Sequence, residues 1–152
     1  MLAAVPDVSS IVCDARDSAA INAVLNDPAV RPFIGLPDAG EVDISPLVVN
    51  PMNLFPFGEH GGFALLWTAP HTREVHTFIL PSGRGRWAQQ AAAEGIEMAR
   101  DAGTRTLWTK VPADAPHVRA FASVMGMDPT GEAVTEHGAA YEIMAMELDP
   151  CL

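Results

Sequence analysis

The chain has 152 residues, of which 49% are apolar and only 18% charged, enough for one ordinary domain with a real core and too few for a second. Nineteen acidic against nine basic residues give a net charge of −10, which repels nucleic acid and anionic membrane surfaces, so neither is expected as a partner. Cys13 and Cys151 sit at opposite ends without disulfide or metal-site spacing, no apolar run approaches the ~18 residues of a membrane span, and the start has neither the basic segment nor the apolar run of a signal peptide. The expectation is a soluble, cytoplasmic single domain over 1–152 with no metal.

In chain order, Ser9 to Cys13 reads as a short strand. Asp17 can cap a helix that carries Ile21, Val24 and Leu25 on one face and ends at Asn26-Asp27-Pro28. From Ala29 to Pro51, prolines at 32, 37 and 46 interrupt any long element, and the segment is expected to be an irregular, substrate-side flap. Three strands follow closely, Asn53 to Phe57, Gly62 to Thr68 and Arg73 to Leu80, and the turns Gly58-Glu59-His60-Gly61 and Ala69-Pro70-His71-Thr72 predict an antiparallel meander.

The loop Pro81-Ser82-Gly83-Arg84-Gly85-Arg86 comes next. Gly83 and Gly85 permit positive φ and close approach to the main chain, while Arg84 and Arg86 add charge beside a helix start whose first amides lack partners. That combination points to an anion. Ala88, Ala91, Ala92, Gly95, Ile96, Ala99 and Ala102 then repeat at helical spacing until Gly103, a small-residue stripe that lets a helix sit close on a sheet. Thr104 to Val111 reads as a strand. Asp114 can cap a helix with Val118, Phe121, Ala122 and Met125 inward, ended by Gly126. Strands near Glu132 to Glu136 and Ala140 to Leu148, joined by His137-Gly138, complete the chain.

This order of elements resembles the GCN5-related N-acetyltransferases (GNAT), with the specific features concentrated between His76 and Met127. The family grips the pyrophosphate of acyl-coenzyme A with a loop of pattern Q/R-x-x-G-x-G/A. Arg84-Gly85-Arg86 fit its first three positions, whereas Trp87 replaces the glycine and Gln89 the final small residue. A similar arginine-glycine-arginine loop occurs in small acetyltransferase-like proteins of tailed phages. The resemblance implies an α/β (α+β) fold with a central, mostly antiparallel mixed sheet of about six or seven strands flanked by about three or four helices. It also implies that acetyl-CoA is the cofactor and that a primary amine, on a small molecule or a protein, is the acceptor. The amides of Arg84, Gly85, Arg86, Trp87 and Ala88, beside Gly83, would hold the pyrophosphate, and the main chain around Ile79, from Phe78 and Leu80, would pair with the pantetheine arm. The indole of Trp87 is expected to take room from that approach.

Many relatives protonate the leaving thiolate with a tyrosine in a pattern N-x-x-A-x-x-F-Y-x-x-x-G-F. Aligning its end on Gly126 and Met127 places Ala122 where the tyrosine stands. Tyr141, in a late strand, reads as a packed residue, and His117 and Ser123 as exposed helix residues. For the base, His76 interrupts an apolar strand just before the loop and shares a face with Glu74. Glu59, beside His60 in the first meander turn, is a further candidate, as is Glu74 itself. Functionally, the resemblance implies an acetyl-CoA-dependent N-acetyltransferase, with a homodimer through the final strand pair compatible with it. The alternative, suggested by Trp87, Gln89, Ala122 and the methionine-rich tail, is a catalytically idle member of the fold serving as an interaction or phage accessory protein.

Overall fold

A computed structural model describes residues 10–35 and 40–149. Seven strands form one sheet in the order β1-β2-β3-β4-β5-β7-β6. They are β1 Val12–Asp14, β2 Pro56–Gly58, β3 Gly61–Ala69, β4 Thr72–Ile79, β5 Thr106–Pro112, β6 Asp128–Glu136 and β7 Ala139–Glu147. Every pairing is antiparallel except β4 with β5. Four α-helices accompany the sheet, α1 Ser18–Leu25, α2 Ser45–Val48, α3 Arg86–Asp101 and α4 Pro116–Val124. Strand count, helix count and mixed sheet agree with the sequence expectation. Ser9, residues 36–39 and Cys151 lie outside the described residues.

Two apolar clusters cover the two faces of the sheet. One packs α3 and α4 through Ala88, Ala91, Ala92, Ala99 and Ala122 onto Phe63, Leu65, Leu107, Val111 and Met144. The other packs α1 and α2 through Ile21, Val24, Leu25 and Val48 onto Phe55, Ala64 and Phe78, and no residue of β5, β6 or β7 belongs to it. The small-residue stripe of α3 works as expected: a Cβ on Gly95 would lie 3.3 Å from Pro56, so glycine is what allows this approach. Gly103 ends α3 with φ +87° and Gly126 follows α4 with φ +105°. His137 and Gly138, both at positive φ, turn β6 into β7.

One expectation is corrected. Asp114 does not cap α4; Ala115 occupies the N-cap without a side-chain bond, because Pro116 at the first helical position sets the start one residue later. The segment after α1 is irregular, as expected, where it is described, interrupted by the short Arg31–Phe33 and Ser45–Val48 turns, and side chains hold it in place. Asn26 donates to the Val42 carbonyl at 2.8 Å and accepts from the Val42 amide at 2.7 Å, and Asn22 accepts from the Ile44 amide at 2.8 Å. Arg16 fastens the far end, donating to the carbonyls of Val48 at 2.9 Å and Asn53 at 2.6 Å. Side chains here satisfy backbone groups that no strand pairs.

Candidate functional site

The site begins where the sheet comes apart. β4 and β5 pair only over Thr72↔Thr106, Arg73↔Leu107 and Glu74↔Trp108, and beyond that point β5 continues along β7 while β4 stays with β3. At the apex of the fork, the Thr109 hydroxyl donates to the Val75 carbonyl at 2.9 Å. His76 and Thr77 are exposed although β4 is the middle strand of seven.

Backbone alternation decides which groups line the fork. The Leu80 amide donates to the His60 carbonyl and the Leu80 carbonyl accepts from Gly83, both at 2.9 Å. The Phe78 carbonyl also points toward β3, since a Cβ on Gly61 would come within 2.2 Å of it. Phe78 and Leu80 therefore turn their main chain toward β3, and the groups facing the fork belong to Thr77 and Ile79. The expected pairing residues are displaced by one register position. Their side chains alternate the other way, with Phe78 buried in the α1 cluster.

At the open end of the fork, Pro81–Gly83 forms a 3-10 turn and Gly85 is the N-cap of α3 at φ 98°, ψ −128°, a conformation open essentially to glycine alone. No atom lies within 4 Å of a Cβ built on Gly85, so the space above it is clear. The helix start carries no side-chain cap and no acidic residue in its first turn. The amides of Arg86, Trp87 and Ala88 have no intrahelical partner, and the helix dipole places partial positive charge beside Arg84 and Arg86. Arg84 donates to the Ala29 carbonyl at 3.4 Å.

The Trp87 ring packs between the β2–β3 turn and Gly83. Its ring meets His60 edge-on at 5.0 Å between centroids, and a Cβ on Gly58 or Gly83 would lie 3.1 Å from it. Gly83 thus makes room for His60 and Trp87, while Ser82 Oγ lies 2.8 Å from His60 Nδ1 and ties the β2–β3 turn to the loop.

On the α1-side face of the fork, Glu74 Oε1 lies 3.2 Å from His76 Nε2 and Glu74 Oε2 lies 3.9 Å from Lys110 Nζ. Lys110 also donates to Glu136 at 2.8 Å. Burial pushes the Glu74 carboxyl up, but the hydrogen bond and charge of His76 and the charge of Lys110 outweigh it, so its pKa lies below the ordinary carboxylate value. Lys110 is held above its ordinary value by the Glu136 bond, against desolvation and with help from Glu74, Glu136 and Tyr141. Glu74 and His76 are brought together as expected. Glu59 is not with them: it is exposed in the β2–β3 turn, 3.7 Å from His60. Lys110 and Glu136 were missed by sequence reasoning. Alternation along Thr106–Pro112 could have placed Lys110 with Trp108 on one face, but only the pairing of β6, β7 and β5 brings Glu136 to it. His117 and Ser123 are exposed on α4.

No group of three or more His, Cys, Asp or Glu side chains that could hold a metal occurs among the described residues, and no helix among them is long and apolar enough to cross a membrane.

No family model matches the chain, and no curated protein matches it. Solved structures do. The ribosomal-protein-alanine N-acetyltransferase of Brucella melitensis superposes with a TM-score of 0.70 at 19% identity, over 90% of this chain and 99% of that one. The yncA protein of Salmonella typhimurium, solved with acetyl-CoA, gives 0.65 at 16% identity over 93% and 95%. The IAA acetyltransferase of Bacillus cereus gives 0.61 at 18% identity over 91% and 99%. The chain has the GNAT acyl-CoA N-acyltransferase fold.

Proposed function

We propose that the protein is an acyl-CoA-dependent N-acetyltransferase that moves an acetyl group from acetyl-CoA to a primary amine. The observation that carries this reading is the alignment of two unsatisfied features: the strip of unpaired β4 backbone at Thr77 and Ile79 runs into the glycine-capped, arginine-flanked start of α3. The residues present fit coenzyme A. Clear space over Gly85 admits a pyrophosphate to the amides of Arg86, Trp87 and Ala88, and the fork-facing backbone offers hydrogen bonds to the amide groups of a pantetheine arm. Charge-assisted bonds of this kind contribute about 1.5–3 kcal/mol each. Acetyl-CoA supplies the activated thioester carbonyl.

The chain's own residues then prepare the amine. The ionised Glu74 accepts a hydrogen bond from His76 Nε2 and so fixes the ring with Nδ1 free to accept a proton, directly or through a water, from the acceptor ammonium. With acetyl-CoA bound, the neutral amine would form the new N–C bond as the C–S bond breaks, the nitrogen would release its surplus proton to solvent, and with Ala122 in place of a phenol the thiolate would take one from solvent. Against burial, the His76 hydrogen bond and charge, with a smaller part from Lys110, hold the Glu74 carboxyl below its ordinary value. The neighbours named as a ribosomal-protein-alanine N-acetyltransferase and an IAA acetyltransferase are compatible with either a protein or a small-molecule acceptor, and the net charge of −10 favours cationic ones.

Thermal unfolding with and without acetyl-CoA tests the reading. At a ligand concentration about 100 times Kd, stabilisation is expected near 2.7 kcal/mol, a shift of roughly 5 °C, reduced by Arg84→Glu. The absence of any shift at millimolar ligand overturns the assignment and favours an interaction protein built on this fold.

A further inference from the structure

Below the fork, on the α3–α4 face, lies a cavity of about 70 Å³. Among its lining residues only Thr77 and Thr109 have polar side chains, and the Thr109 hydroxyl is already donated to Val75. Such a cavity holds water poorly and suits an apolar guest. Three small residues on the helices make it: Ala92 and Gly95 of α3 and Ala122 of α4. Ala122 is the position at which the resemblance places a tyrosine, so the space is what that missing ring leaves. Met125 and Met146 form adaptable wall.

The position of this cavity matters as much as its character. Thr77 contributes both its backbone to the fork and its side chain to the cavity, so a pantetheine arm running past Ile79 and Thr77 delivers its thioester end to the cavity mouth. A water-sized group occupies about 10–15 Å³ on the same measure, so the space takes roughly five of them. An acetyl methyl leaves most of it empty. On this basis, and resting on the acyltransferase reading above, we propose that the cavity receives the acyl chain of the donor, so that the protein accepts, besides acetyl-CoA, linear acyl-CoA thioesters of about four to six carbons and binds them more tightly. The carbonyl then stays at the fork, open to the amine from the Glu74–His76 side, with the chain pointing the other way.

The test is a calorimetric binding series on the wild-type protein with CoA, acetyl-CoA, butanoyl-CoA and hexanoyl-CoA, which needs no acceptor. Each buried methylene is worth about fourfold in affinity, so butanoyl-CoA, with two more methylenes, is expected to bind about fifteenfold more tightly than acetyl-CoA, with a further gain for hexanoyl-CoA. Ala122→Leu, which fills the cavity, is expected to bring the hexanoyl-to-acetyl affinity ratio close to one; Ala92→Val serves the same purpose from α3 should the first variant fold poorly. Binding of CoA with no dependence on chain length overturns the inference, identifies the cavity as an empty packing void and leaves the acyltransferase reading intact. Failure of CoA itself to bind overturns both. A chain-length dependence that survives Ala122→Leu and Ala92→Val also overturns it, because the chain must then lie elsewhere.

Discussion

Glu74 sits at the centre of the residue-scale chemistry, and its depressed pKa carries a linkage consequence with a definite sign. A carboxyl whose folded pKa lies below its ordinary value of 4.5 stabilises the fold fully above that pH and loses the contribution as pH falls through the folded value. Glu74→Gln is therefore expected to lower the urea midpoint at pH 7, with the difference from wild type shrinking as pH drops below 4.5; a constant difference at all pH values counts against an ionised, paired carboxylate. In activity, His76→Ala is expected to lower kcat by about 10²- to 10⁴-fold, and Glu74→Gln by less, since it spoils the orientation of the base without deleting it. Arg73, one residue earlier, has a different job. Buried against Trp67, it donates to the Met52 carbonyl at 3.0 Å and to the Thr104 hydroxyl. Arg73→Met keeps the apolar bulk but strands both acceptors, so a stability loss of about 2–4 kcal/mol is expected in urea unfolding with kcat little changed. The sequence showed His76 and Glu74 as neighbours on one strand face, because that follows from alternation alone. It hid Lys110 and Glu136, whose 2.8 Å contact depends on β7 lying between their strands.

At the scale of elements, what could be read from the chain is what local chemistry dictates. The alanine-glycine stripe announced α3, and Gly103, Gly126 and His137-Gly138 marked turns at which the structure has positive φ. Gly85 belongs to the same class, and Gly85→Ala is expected to cost about 1–3 kcal/mol of stability or to shift the helix start, weakening CoA binding with it. What could not be read was the set of non-local partners. The Asn22 and Asn26 side chains that hold residues 42–44 look like ordinary polar positions on a helix. The one-residue difference in fork register likewise rests on a distant fact, the Leu80 amide bonding to His60. That register is open to hydrogen exchange. The amides of Thr77 and Ile79 are expected to exchange quickly in the free protein and to gain protection on adding CoA, whereas those of Phe78 and Leu80 are protected by β3 from the start. The reverse pattern restores the register read from the sequence.

Across the whole molecule, the fork divides a sheet whose two parts are covered differently. Among the described residues the α1–α2 cluster includes residues of β3 and β4 but none of β5, β6 or β7, and it is on that uncovered part of the face, beside Lys110 and Glu136, that the proposed amine would approach the fork. That open face belongs to a chain of net charge −10, while positive charge is gathered around Arg84 and Arg86 at the other end of the fork. Under the proposed function, two ligands of opposite charge would thus be drawn to two ends of one opening. Long-range attraction of this kind acts on encounter and is screened by salt, the Debye length shrinking from about 30 Å at 0.01 M to about 8 Å at 0.15 M ionic strength. For a diamine acceptor, kcat/KM is accordingly expected to fall severalfold over that range, and less steeply for a monoamine of similar size. Glu136→Gln is expected to flatten the diamine dependence, since it removes one acid from that face and leaves the charge of Lys110 without its 2.8 Å partner. Equal salt dependence for the two amines, unchanged in that variant, means that acceptors are chosen by shape rather than by the field of the open face.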